Sequence, residues 1–230
     1  MRIIVCCVLA LFCSFPYAKQ LTPFEAKYDA YRNGSKLGYA VMQLSKTDNN
    51  QYKLYYKSDV SIFFLSDKRE ETSIFKLSDE GRLLPWQYHY KRTGTGRDKS
   101  LSLTFNEKTN EITINKKSTI NWNGEWDNQL YRFDLQSQLR QKAEDIQYDL
   151  INYRGQKKQY GFEVISEEML QLPYGQINAI KVKTIRSNTK RLTYSWFAPD
   201  LDYLLVRLQQ FKKGDEQGDI QLSSLTVSSE

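Results

Sequence analysis

The chain has 230 residues, with 33 Lys and Arg against 27 Asp and Glu, a net charge of +6 and a single His. Hydrophobic residues make up 40% and charged residues 26%, a balance that excludes both a disordered chain and a polytopic membrane protein. With 16 Tyr, 11 Phe and 4 Trp against 11 Gly and 5 Pro, the composition favours strands, because aromatic side chains fit a pleated, half-buried surface.

Arg2 is followed by an uncharged stretch, Ile3 to Phe15, and then by Pro16-Tyr17-Ala18 before Lys19. A basic start, a short apolar run and a small residue predict a secretory signal peptide over 1–18, cleaved after Ala18. The run is too short for a transmembrane helix, which needs about 20 apolar residues. A lipoprotein reading would use Cys13, but bulky Phe12 stands where a small residue is expected. All three cysteines, Cys6, Cys7 and Cys13, lie in this segment. The expected mature chain, 19–230, therefore has no disulfide, thiolate nucleophile or cysteine metal site, and its expected location is the periplasm. Its mild basic excess suits anionic surfaces and an ordinary soluble protein equally.

From Phe24 the chain reads as strand and turn. Phe24 to Tyr31 alternates, Asn33-Gly34 suits a tight hairpin turn, Tyr39 to Leu44 returns, and Thr47-Asp48-Asn49-Asn50 turns again. Tyr52, Leu54 and Tyr56 share one face of a strand. Leu84, Trp86, Tyr88 and Tyr90 are expected to share a face of another, with Gln87, His89 and Lys91 opposite. Leu101, Leu103 and Phe105 repeat the rule, as do Ile112 and Ile114 after a turn at Lys108-Thr109-Asn110. Strands joined by short polar turns predict an antiparallel meander.

The pattern changes near Leu130. Asp134 is the expected cap of a helix near 134–144, where Leu135, Leu139 and Ala143 form a stripe at intervals of four. Strand patterning resumes over Ile146 to Tyr153 and Lys158 to Met169, turns at Leu172-Pro173-Tyr174-Gly175, and continues through Ile180 to Thr184, Leu192 to Trp196, Tyr203 to Phe211 and Ile220 to Val227. The expectation is an all-β chain, 19–230, forming a single domain. It would be a single curved antiparallel sheet, or an open or closed β-barrel, of about eleven to thirteen strands with one short helix.

Chemistry-bearing motifs are sparse. His89, the one histidine, sits on the polar face of its strand, so a multi-histidine metal site is excluded. No Gly-x-Ser-x-Gly elbow is present, and Gly94-Thr95-Gly96 reads as a turn. The carboxylate pairs open to glycoside chemistry are Glu70-Glu71, Glu125/Asp127, Glu167-Glu168 and Asp200/Asp202, although adjacent strand residues face opposite ways. Lys91, Arg92, Arg97 and Lys99 surround a hairpin tip. They are either a solvated turn or a contact for anionic headgroups; nucleic acid is not expected, because aromatics do not interleave with them. Ile62-Phe63-Phe64-Leu65 is either a strand end buried on both sides or an apolar lip at the mouth of a cavity.

Three passages together resemble the bacterial exported proteins grouped as domain-of-unknown-function family 3108. They are Pro23-Phe24-Glu25-Ala26-Lys27-Tyr28 with Asn33 to Gly38, Leu172-Pro173-Tyr174-Gly175 running on to Val182, and Trp196-Phe197-Ala198-Pro199-Asp200-Leu201-Asp202-Tyr203-Leu204-Leu205-Val206-Arg207. Leu205 stands where members usually carry proline. The resemblance implies an exported β protein and brings no catalytic residues. The hairpin around Trp196, Pro199, Leu204 and Arg207 also looks like one in periplasmic lipoprotein-carrier half-barrels, which hold acyl chains in a concave sheet. The expected function is a non-enzymatic carrier or binding module for a lipid or other amphiphile, with no cofactor and no metal. Tyr56, Phe63, Phe64, Trp86, Tyr88, Tyr194, Trp196 and Tyr203 are the expected ligand-binding residues. The alternative is an enzyme or accessory protein acting on an envelope polymer through a carboxylate pair.

Overall fold

Alternation sets the first strand, β1 (Phe24–Arg32), whose Ala26, Tyr28 and Ala30 are buried while Lys27 faces water. The strands β2 (Ser35–Lys46), β3 (Tyr52–Ile62), β4 (Leu65–Leu77), β5 (Leu83–Gly94), β6 (Lys99–Asn106), β7 (Glu111–Ile114) and β8 (Ser118–Asn121) follow as one meander. After the helix α1 (Leu130–Arg140) come β9 (Ile146–Ile151), β10 (Lys157–Leu172), β11 (Gly175–Ile185), β12 (Arg191–Ala198), β13 (Leu204–Lys212) and β14 (Asp215–Val227), a second meander. In this computed structural model, which describes residues 20–47, 49–188 and 190–228, β14 returns to pair with β1, Tyr28 opposite Leu222. The result is one antiparallel fourteen-stranded sheet with β8 and β9 at its edges. The segment read as an export signal, with its cysteines, lies outside the described residues.

The all-β expectation holds, with more strands than patterning reveals. The strands that patterning misses are β4, whose charged first half masks its alternation, and the four-residue β8. The edges are managed locally. Trp126, in the segment between β8 and α1, donates its N–H to the carbonyl of Asp149 (2.9 Å) and accepts from the N–H of Ile151 (2.8 Å). That segment therefore covers the free side of β9. Lys157, at the start of β10, donates to the carbonyl of Asn121 at the end of β8 and pairs with Glu125. The sheet does not close through a strand ladder; these side-chain and loop contacts join its two edges.

The concave face carries the core. Leu130, Tyr131, Leu135 and Leu139 of α1 pack with Ala26, Tyr28, Leu44, Leu54 and Phe75 of the sheet. A second cluster joins Tyr88, Tyr90, Leu101, Leu103, Phe105 and Ile112 to Ile151. The helix begins four residues before the expected 134 and also ends four before 144. Asp134 does not cap it: its carboxylate accepts from the Tyr148 hydroxyl (2.7 Å) and the Gln138 amide (3.2 Å). The capping acceptor is Asp127, which takes the backbone N–H groups of Gln129 (2.8 Å) and Leu130 (2.7 Å). At the far end Lys142 is left-handed at φ 53°. The N–H of Ala143 reaches the carbonyl of Gln138 and that of Lys142 the carbonyl of Leu139, a Schellman ending built without glycine. Ala143 thus continues the apolar stripe beyond the helix.

Two consequences are measurable. A Cβ at Gly38, in β2, would collide with the backbone of Asp59 and Val60 of β3, the Val60 Cα lying 2.9 Å away. Gly38→Ala should lower the unfolding free energy by about 3 kcal/mol, read from urea midpoints. Asp127 is fully buried, and burial pushes its carboxyl from 3.8 up to about 6, against the pull of its backbone and Ser73 hydrogen bonds. The folded state holds this proton more tightly than the unfolded chain. Asp127 therefore contributes fully below about pH 4 and loses roughly 3 kcal/mol as pH rises through 6. Asp127→Asn keeps the accepting oxygen without the charge, so between about pH 4 and 7 its stability should gain on that of the wild type by this amount.

Candidate functional site

The concave interior is not filled. A cavity of about 530 Å³ lies between α1 and strands β1–β4, β13 and β14, within the range of small-molecule sites. Its apolar wall is built from alternate residues of one β3 face, Leu54, Tyr56, Val60 and Ile62, with Met42, Leu205, Leu208 and Ile220. Arg132 and Gln136 of α1 form its floor. A second cavity of about 380 Å³, lined by Phe24, Leu44, Leu83, Leu204 and Leu225, lies along the C-terminal half of the helix, where Ser137 and Arg140 also line it. Phe133 and Gln136 line both.

Charge in the larger cavity is organised in two groups. At the mouth, Asp67 of β4 accepts from Arg69 Nε (2.8 Å) and Arg92 Nε (2.9 Å). Burial raises the Asp67 carboxyl, but the two guanidiniums outweigh it and hold the pKa below the ordinary value. Deeper in, Glu71 accepts from the Tyr88 hydroxyl (2.7 Å) and the Asn128 amide (3.0 Å). Burial works against the Arg132 cation, yet the Tyr131 hydroxyl and the Glu71 charge keep it protonated. Behind Glu71, the hydroxyl of Ser73 donates to Asp127 (2.9 Å). Tyr56 keeps its phenol proton, its pKa raised by burial and by the nearby Glu71.

The expected ligand-binding residues divide sharply. Tyr56 lines the larger cavity. Phe63 and Phe64 form the two-residue turn between β3 and β4 and are 96% and 99% exposed, so the reading of a strand end buried on both sides fails. Trp86 does not share a face with Tyr88: Ile74 pairs with Gln87 and Phe75 with Pro85, leaving Trp86 as the extra residue of a bulge, half-exposed on the outside. Tyr88 is fully buried in the second core cluster and holds Glu71. In β12, Ser195 lies opposite the cavity-lining Leu208 and Thr193 opposite Gln210, which turns Tyr194 and Trp196 to the convex face. There the Trp196 indole donates to Glu168 (3.0 Å) beneath Lys181 and Arg207. Tyr203 packs under Arg140 outside both cavities.

Of the basic group, Arg92 is held by Asp67 at the mouth, while Lys91, Arg97 and Lys99 are exposed. Among the carboxylates, Glu125 is taken by Lys157, Glu168 by Lys181 and Trp196, and Asp202 by Arg140. Glu71 and Asp127, from separate parts of the chain, are near enough for the Glu71 charge to raise the Asp127 carboxyl. Among the described residues no group of three His, Cys, Asp or Glu is placed to hold a metal ion, and no helix is long and apolar enough to cross a membrane. Arg69 and Arg132 are missed in the sequence, and Glu71 is named there only as half of the adjacent pair Glu70-Glu71, not as a cavity residue. For Arg69 and Glu71 the signal is the period-two spacing from Phe75; for Arg132 the sequence holds none, because a polar residue on an amphipathic helix ordinarily faces water.

A β-barrel-like protein of the DUF1849 family from Brucella abortus shares the fold, with a TM-score of 0.62 over 91% of this chain and 99% of that one at 10% identity. A Bacteroides fragilis protein with a YmcC-like fold, described as exported, covers 90% of this chain and 96% of its own at 12% identity, with a TM-score of 0.35. No curated protein matches the sequence. The model of a family described as a protein of unknown function, DUF3108, matches residues 27–221, and the chain belongs to that family.

Proposed function

We propose that this protein is a non-enzymatic periplasmic carrier or binding module for a lipid or another amphiphile. The observation that carries the reading is the 530 Å³ cavity, with aliphatic walls from β3 and β13 and guanidinium groups at its mouth and floor. An apolar chamber with a few convergent polar groups is the form small-molecule sites take. Here the apolar wall suits an acyl chain, while Arg69, Arg92 and Arg132 suit an anionic or polar head. The signal-like N-terminal segment supports export.

The enzyme reading finds its best pair in Glu71 and Asp127, one lining the cavity and the other fully buried. Asp127 is committed to the start of α1 and to Ser73. A general acid or base must reach the proton it moves, directly or through one water, and Asp127 has no surface on the cavity. The carrier is preferred for that reason.

Protein purified gently from periplasm should show extra mass under native mass spectrometry, released as lipid on denaturation. Leu208→Trp fills the cavity from β13. It should reduce retained lipid on the order of ten-fold, about 1.4 kcal/mol, with an unchanged circular dichroism spectrum. A wild-type protein of clean apo mass, together with a hydrolytic activity abolished by Glu71→Gln, would replace the carrier with the enzyme.

A further inference from the structure

The fold itself does not explain Phe63 and Phe64. They are the whole of a two-residue hairpin turn, almost fully exposed, and Leu65 beside them is 60% exposed. Phe63 has φ 52°, a left-handed conformation that Asn, Asp or Gly adopts at far lower cost. The neighbouring β1–β2 turn uses Asn33-Gly34 for this purpose. Thr95 fixes the tip in place: its hydroxyl accepts from the Ser66 N–H (3.0 Å) and donates to the Phe64 carbonyl (3.3 Å).

Charge is divided between the two ends of the sheet. Because every neighbouring pair is antiparallel, turns alternate between ends. The end that carries Phe63 and Phe64 also carries Arg97, Lys99, Lys190, Arg191, Lys212 and Lys213, against Asp98, Asp215 and Glu216. Among the described residues none of these six cations is in an ion pair. Arg191 lies directly opposite Lys212; like charges so placed destabilise a ladder unless an anion lies between them. The other end carries Asp79, Glu80, Glu107, Glu144, Asp145, Asp200 and Asp202 against Arg82, Lys108, Arg140 and Lys142, and there Arg82 pairs with Glu80 and Arg140 with Asp202. The larger cavity opens at the basic end, where Ile62, Leu65, Thr95 and Arg191 line it.

We propose that this end docks on an anionic phospholipid bilayer. Phe63, Phe64 and Leu65 enter the interfacial layer, the surrounding cations bind headgroup phosphates, and the cavity mouth is set on the lipid surface. The exposed aromatics supply apolar area and the basic turns supply electrostatic attraction, the two components of interfacial binding. The purpose of the docking, though not its chemistry, rests on the carrier reading.

Sedimentation of the full-length mature protein with vesicles of phosphatidylcholine, alone or with one-third phosphatidylglycerol, tests it. The anionic vesicles should bind at least ten-fold more tightly than the neutral ones, and the preference should shrink with added salt. Phe63→Ser with Phe64→Ser changes only exposed side chains, so the fold should be intact while binding falls ten-fold or more. Arg191→Gln with Lys212→Gln should weaken binding by roughly twenty-fold. Equal binding to the two vesicles, wild-type binding by the folded Phe63/Phe64 variant, or no binding at all overturns the proposal. A protein that binds vesicles but releases no lipid in mass spectrometry keeps this surface and loses the carrier function. One that carries lipid and ignores vesicles does the reverse.

Discussion

A fourteen-stranded sheet curls around more volume than its own side chains fill, and everything in this molecule follows from how that concave space is occupied. Small barrels are packed solid by their strands; wider ones enclose a cavity or take in another element. Here the element is one eleven-residue helix. It brings an apolar stripe, Leu130, Tyr131, Leu135 and Leu139, to the sheet, but its start must be satisfied in a dry interior. Asp127 meets that need by taking two backbone N–H groups, and Ser73 of β4 ties Asp127 to the sheet. The cluster of Glu71, Tyr88 and Asn128 beside it is a buried polar anchor on the cavity wall, which costs free energy where incomplete and specifies one helix position where satisfied.

The all-β class, the meander and the presence of one helix were legible because they rest on local periodicity. Ala26, Tyr28 and Ala30, or Tyr52 and Leu54, alternate as a half-buried strand must, and they are buried. What local periodicity does not carry is the position of irregularities. One extra residue beside Pro85 turns Trp86 outward, and a phase set by distant cross-strand partners decides which face Trp196 takes. The left-handed Lys142 ends α1 without the glycine that would have announced it. The site was less legible than the fold. Glu71 and Asn128 meet at a sequence separation of 57 and Ser73 and Asp127 at 54, and no spacing rule reaches that far.

The passage that most resembles the family, around Trp196 and Arg207, serves shape. Arg207 forks onto Asp219 (2.9 and 2.7 Å) and lies over the Trp196 ring at 4.8 Å, with Lys181 over the same ring at 5.2 Å. Cations stacked on an indole and held by carboxylates lock β11, β12, β13 and β14 in register on the convex side. Tyr28 performs the matching role within, its hydroxyl donating to the Leu205 carbonyl (2.8 Å). Aromatic residues in a β protein are far more often such fasteners than ligand contacts, and the division found here places Tyr56 alone of the eight expected residues on the larger cavity.

On the carrier reading, α1 also decides what kind of cargo the interior can take. Phe133 and Gln136 are common walls of the two chambers, so these two side chains partition the concave space along the helix. The larger chamber opens among cations and the smaller one lies toward the opposite end, where Asp134 and the Arg140–Asp202 pair line it. A ligand with one anionic head and one apolar tail has a single favourable orientation in such a field: head at the basic mouth, tail along β3 toward Phe133. A tail longer than the first chamber would have to displace the Phe133 ring, which packs at 6.2–6.4 Å from Phe75 and Phe24. Those contacts set the resistance of the partition and, on the carrier reading, the chain length that fits without rearranging the core.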